Sequence, residues 1–244
     1  METVDAFLGG RVLLKQSDDG LKGTSDSVLV AAAVPAKPKE TILDVGVGNG
    51  VISLCLNARV SELSFTGIDC QKDLLDLAKE NARSNGLNFS AILANIGIIP
   101  SPLHGQQFNH VVTNPPFYTE PHKRKNTRQA VACHQDLSLT EWLKFCLRHV
   151  RAKGSISIIH RTEALPEILT VLEGKIGALE IFPIASKRNE PAKRIIVRGR
   201  MNSRKPLCLH APIVMHEPDG QQTKEADQLL RTGIGLDTLL GLDF

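Results

Sequence analysis

The sequence holds no CxxC pair and an odd number of cysteines: Cys55, Cys70, Cys133, Cys146 and Cys208. That pattern argues against a zinc ribbon or a disulfide framework and fits a reducing cytoplasm. No apolar run approaches the roughly 20 residues that span a bilayer. The first residues, Met1 to Asp5, carry acids rather than a basic region ahead of an apolar stretch, so no signal peptide is read. Strong charge is missing too. The net charge is +3 and the pI about 8.6, too mild to mark a nucleic-acid binder, so the distribution of charge matters more than its sum. There is no internal repeat and no low-complexity segment. These absences predict a cytoplasmic protein without a membrane partner.

What is present is ordinary globular material: 244 residues, 42% hydrophobic and 23% charged. A chain of this length buries a sizeable core without a staple. Strand-like runs alternate with helix-like runs from Thr41 onward. Thr41 to Val45, Leu63 to Ile68, Phe89 to Leu93, Asn109 to Thr113 and Ser155 to His160 read as strands. Val51 to Ala58 and Lys72 to Asn85 read as helices, the second stopped by Asn85-Gly86. Ser138 to Glu141 has the form of a capping box that opens a helix through Val150, with Trp142 and Phe145 at core spacing. Such alternation predicts βαβ units and a mostly parallel sheet covered on both faces. After Gly174 the pattern changes. Ala178 to Ile184 and Arg194 to Arg200 read as a hairpin added to the sheet edge, Leu207 to Met215 as a further strand, and Thr223 to Arg231 as a short helix. In the first 25 residues only the turn at Asp18-Asp19-Gly20 stands out. Asp26 to Val34 reads as a helix.

Two constellations carry chemistry. The first strand runs into Gly46-Val47-Gly48-Asn49-Gly50, with Asp44 ahead of it and a helix behind. Glycines there let the backbone approach a ligand, and the helix start offers free N–H groups. The dinucleotide fingerprint would want glycine at position 51, where this chain has Val51. Asp69 closes the second strand, where nucleoside-binding α/β folds place a carboxylate that accepts from ribose hydroxyls.

The second constellation is Asn114-Pro115-Pro116-Phe117, at the carboxyl end of the fourth strand. Two prolines remove two N–H donors and stiffen the chain. Asn114 and the Pro115 carbonyl supply acceptors, and Phe117 a flat face for stacking. That set suits a planar amide or amidine nitrogen. Two directed hydrogen bonds would turn its delocalised lone pair toward an electrophile, with no metal required. A nucleobase would reach such a site unstacked. The basic run Lys123-Arg124-Lys125, with Arg128, follows at once and could hold RNA phosphates. Lys187-Arg188, Lys193-Arg194, Arg198 and Arg200 could extend that surface, or Arg198 and Arg200 could be the wet face of an edge strand. His160, near the cleft, reads as a structural hydrogen-bonding residue.

DVGVGNG (Asp44 to Gly50), GID (Gly67 to Asp69) and NPPF (Asn114 to Phe117) resemble motifs of the class I S-adenosylmethionine-dependent methyltransferases that act on amino groups. Gly20 to Ala33, Ile159 to Arg161 and Pro191 to Arg194 are similar to the tRNA(Val) adenine-37 N6-methyltransferase family. The resemblance implies a Rossmann-like seven-stranded α/β sheet, mostly parallel with an antiparallel C-terminal hairpin. It implies one methyltransferase domain over residues 1–244, with 1–38 as an N-terminal extension. It implies S-adenosylmethionine against Asp44, Gly46, Gly48 and Gly50, the ribose on Asp69, and Asp26 and Asn114 near the cofactor. Many relatives carry Asp after the third strand, where it meets the adenine amino group; here Asn95 would take that role. The implied acceptor is RNA, with adenine N6 in tRNA favoured. Guanine N2 in rRNA and protein glutamine N5 are the alternatives. The glutamine enzymes usually have Tyr after the prolines and a helical N-terminal domain, neither of which is seen here.

Overall fold

The computed structural model of the protein describes residues 2–17, 23–97, 100–116, 137–242 and 244. The chain opens with an antiparallel ribbon of β1 (Glu2–Phe7) and β2 (Val12–Ser17). Helix α1 (Ser25–Ala33) leads into β3 (Thr41–Val45), α2 (Val51–Arg59), β4 (Ser64–Asp69), α3 (Lys72–Ser84) and β5 (Phe89–Leu93). Next come β6 (Phe108–Thr113), α4 (Leu139–Arg148), β7 (Val150–Arg161) and α5 (Leu165–Leu172). The remainder is β8 (Ile176–Lys187), β9 (Arg194–Met201), the short β10 (Cys208–Leu209) and β11 (Ile213–His216), then α6 (Lys224–Asp227) and α7 (Leu236–Leu240).

The main sheet runs β10-β8-β9-β7-β6-β3-β4-β5, with β11 also alongside β8. Strands β3 to β7 are parallel, and β9 is antiparallel to both of its neighbours. Seven strands thus form the expected sheet, and β10 and β11 lengthen its edge as parallel partners of β8. Every residue of β6 is buried, as an apolar strand covered on both faces must be. One core layer lies between the sheet and α1 and α2, and includes Leu29, Leu54, Ile159 and Ile196. The other lies under α4 and α5, and includes Leu43, Val111, Trp142 and Ile158. Chain order reverses between β3 and β6, so the crevice at their carboxyl ends is the expected ligand position.

Two sequence expectations change. Residues 207–215 split into two short strands rather than one. Arg198, read as wet or RNA-facing, is fully buried, because β9 lies inside the sheet rather than at its edge. Its guanidinium donates to Glu180 at 2.6 Å, to the Ala33 carbonyl at 3.0 Å and to Asp237. Buried arginine is tolerated only with such pairing. Arg200 lies over the Phe244 ring, 4.5 Å from its centre.

The N-terminal ribbon is laced to α3 by side-chain amides. Asn81 accepts from the Lys15 N–H at 2.9 Å and donates to the Lys15 carbonyl at 3.0 Å. Asn85 does the same for Leu13, at 3.2 and 2.9 Å. These amides stand in for a neighbouring strand. Asn81 also donates to the Asn49 carbonyl at 3.0 Å, which ties the ribbon to the glycine loop.

Candidate methyl-transfer site

β3 is buried almost throughout and delivers Asp44 and Val45 to the top of the sheet. The chain then turns through Gly46, Gly48 and Gly50, all with positive φ (74°, 54° and 89°), a backbone that favours glycine. The Gly46 and Val47 N–H groups both donate to the Ile68 carbonyl, at 2.9 and 3.0 Å, which clamps the loop to β4. A Cβ on Gly46 would sit 2.8 Å from the Trp142 ring, whereas one on Gly48 would meet nothing within 4 Å among the described residues. The loop is therefore backed by an indole beneath Gly46, while none of the described residues crowds Gly48.

Asp69 ends β4 and is almost fully buried. Its Oδ2 accepts from the Gly48 N–H and its Oδ1 from the Gln71 N–H, both at 2.9 Å. Asp44 is fully buried. It accepts from the Ser53 hydroxyl at 2.7 Å, while its Oδ1 has no hydrogen-bond partner among the described residues. Burial pushes its carboxyl up to about 7, although the Ser53 hydroxyl and backbone pull the other way. A buried carboxyl oxygen without a partner favours the protonated form unless a cation meets it.

Across the crevice, β6 ends at Thr113 and hands the chain to Asn114-Pro115-Pro116. Asn114 Oδ1 is buried with no hydrogen-bond partner among the described residues. Pro115 and Pro116 line a cleft of about 430 Å³ together with Leu139, Trp142, His160 and Glu163. His160 is buried beside it, and that burial lowers its imidazole below the usual range, so it is neutral at pH 7.

The other expected residues divide. Asp26 lies on α1 and pairs with Arg194 at 2.9 Å. Asn95 is exposed, and its Oδ1 accepts from the Gly97 N–H at 2.9 Å. Phe117, Lys123, Arg124, Lys125 and Arg128 lie outside the described residues. Sequence reasoning missed Thr113 and Ser53, and it took Trp142 for packing alone. Trp142 is buried, but its Nε1–H donates to the Thr113 hydroxyl at 2.9 Å. A tryptophan at core spacing leaves that N–H to be paired, which was the signal available.

S-adenosylmethionine carries an ammonium, a ribose diol and a sulfonium-bound methyl group that a nucleophile can take. The residues present fit it. Asp44 offers an unpartnered buried oxygen for a cation. The loop is uncrowded at Gly48 among the described residues, and Asp69 stands at the end of the neighbouring strand.

Comparison with known proteins agrees. A protein from Actinobacillus pleuropneumoniae named tRNA1(Val) (adenine(37)-N6)-methyltransferase is 24% identical, over 86% of this chain and 89% of its own. One of the same name from Aeromonas hydrophila is 25% identical, over 86% and 88%. The crystal structure of a predicted O-methyltransferase from Agrobacterium tumefaciens superposes with a TM-score of 0.70, at 22% identity, over 86% of this chain and 97% of its own. The family model of the methyltransferase small domain matches residues 22–181. The chain belongs to that family, and it is an S-adenosylmethionine-dependent methyltransferase.

Proposed function

We propose that the protein methylates the exocyclic N6 amine of adenine in RNA, with tRNA as the substrate class. The observation that carries this reading is the buried Oδ1 of Asn114, which has no hydrogen-bond partner among the described residues and sits beside the stiff Pro115-Pro116 turn at the cleft. An acceptor left unsatisfied in a buried place costs free energy unless a ligand donor completes it. An adenine amine has two N–H donors. Asn114 Oδ1 takes one and the Pro115 carbonyl the other. The nitrogen lone pair then points across the crevice toward the glycine-loop side. Trp142 and Leu139 give the cleft an apolar wall for a planar ring. Rate comes from alignment and directed hydrogen bonds. His160, neutral at the cleft wall, adds no cation to repel the donor.

The relatives' printed names concern adenine-37 of a tRNA, which supports the RNA reading. In this reading Lys123, Arg124, Lys125 and Arg128, which follow Asn114-Pro115-Pro116 in the sequence, hold RNA phosphates, Asp69 holds the cofactor ribose, and Asn95 contacts its adenine.

The test is methylation of total tRNA from a strain lacking the gene, with labelled S-adenosylmethionine and digestion to nucleosides. Label in N6-methyladenosine is expected. Label only in methylguanosine, or only in a protein glutamine when extract protein is offered, would replace the adenine reading.

A further inference from the structure

One indole touches both halves of the crevice. Trp142 Nε1–H donates to Thr113 Oγ1 at 2.9 Å, and the Thr113 hydroxyl donates to the Val45 carbonyl at 2.8 Å. Thr113 and Val45 are register partners on adjacent parallel strands. Thr113 directly precedes Asn114, and Val45 directly precedes Gly46. The same indole lies under the glycine loop, since a Cβ on Gly46 would fall 2.8 Å from it. It also lines the cleft beside Pro115 and Pro116. Trp142 and Thr113 are buried, so neither hydrogen bond is exchanged for one with water without cost.

The indole is itself fixed. It sits in the first turn of α4, whose start is closed by a capping box between Ser138 and Glu141. Glu167 on α5 accepts from the Thr140 N–H at 3.0 Å and from its hydroxyl at 2.8 Å. That ties α4 to the chain segment after β7.

We propose that Trp142, acting through Thr113, is a positioning residue for methyl transfer, setting the spacing between the donor loop at Gly46 and the acceptor side chain of Asn114. It touches neither reacting atom by this account. Its effect is on alignment, and misplacement by about 1 Å can cost on the order of 100-fold in rate. The proposal rests on the reading of Asn114 as the group that orients the acceptor amine.

The test compares Thr113→Val, Trp142→Phe, their double variant and Thr113→Ser. Thr113→Val keeps the shape and removes the hydroxyl. Trp142→Phe keeps a ring and removes the N–H. Single-turnover transfer to deletion-strain tRNA, at saturating cofactor and RNA, should fall about 10- to 100-fold in the first two. Cofactor Kd should stay within about 3-fold, and the double variant should be no slower than Thr113→Val, because both remove one shared bond. Thr113→Ser should restore the rate. A second measurement needs no acceptor: the 13C resonance of bound [methyl-13C]S-adenosylmethionine should move in Thr113→Val and in Trp142→Phe and keep its wild-type position in Thr113→Ser. If Tm falls while saturated rates and the methyl resonance match wild type, Trp142 is structural only and the proposal is overturned. If wild type labels no RNA, the adenine reading fails, and the methyl resonance alone then decides the proposal.

Discussion

The Gly48 N–H donates to Asp69 Oδ2 at 2.9 Å, so the carboxylate expected to hold the ribose also shapes the glycine loop expected to meet the cofactor. Asp69→Ala therefore removes two things at once. Loss of one partner of a buried hydrogen bond costs about 1–3 kcal/mol, and calorimetry should show cofactor Kd rising by about 10- to 100-fold. Unchanged affinity would remove Asp69 from the cofactor site.

Asp44 should make cofactor binding depend on pH. Its carboxyl is raised from 3.8 to about 7 by burial. Between those values the folded, cofactor-free protein holds a proton that the unfolded chain has released, so this group's contribution to stability falls as pH rises through that window. A cation beside the open Oδ1 favours the ionised form. Binding near pH 6 should therefore release a proton, and affinity should climb with pH up to about 7. Calorimetry at pH 6 in buffers of different ionisation enthalpy reads the release directly. Asp44→Asn should abolish it, and an identical buffer dependence in that variant would contradict the assignment.

The glycines of the loop should fail in different ways. Gly46→Ala places a Cβ 2.8 Å from the Trp142 ring at a φ of 74°. Overpacking of that kind costs about 1–3 kcal/mol, so Tm and cofactor affinity should both drop. Gly48→Ala meets nothing within 4 Å among the described residues. Left-handed backbone still costs roughly 1–2 kcal/mol, yet the larger loss should be in cofactor affinity, since the methyl group enters the space the loop faces. Equal behaviour of the two variants in thermal melts and calorimetry would show that the open side at Gly48 is not where the cofactor lies.

The parallel core of the fold was legible in the sequence because its signals are local. Buried strands are continuous apolar runs, the glycine loop follows one of them, and Asn114 ends another. What was not legible depends on partners far along the chain. The ribbon β1–β2 pairs with the side chains of Asn81 and Asn85 rather than with a third strand. Arg198 and Arg200 alternate like the wet face of an edge, but Glu180 and Asp237 bury Arg198. Trp142 showed core spacing, and only the fold brings its N–H to Thr113. The buried oxygens of Asp44 and Asn114 that have no partner among the described residues were equally hidden, since residue types alone do not reveal which atoms are left unpaired.

The basic run that follows Pro116 in the sequence should act through charge. Replacing Lys123, Arg124, Lys125 and Arg128 by alanine should weaken tRNA binding and flatten its salt dependence, the slope of log affinity against log salt dropping by roughly one for each phosphate contact removed. Cofactor affinity should not change. Filter binding across a salt series checks this, and an unaltered slope would place the RNA contacts elsewhere.

The central claim is that Asn114 orients the acceptor amine. Its most direct test is a single-turnover assay of Asn114→Ala on deletion-strain tRNA at saturating cofactor, with digestion to nucleosides. The variant should bind S-adenosylmethionine within about 3-fold of wild type and melt near it, while N6-methyladenosine forms about 100- to 1,000-fold more slowly, the loss typical of one transition-state hydrogen bond in a preorganised site. Turnover within a few-fold of wild type would contradict the account.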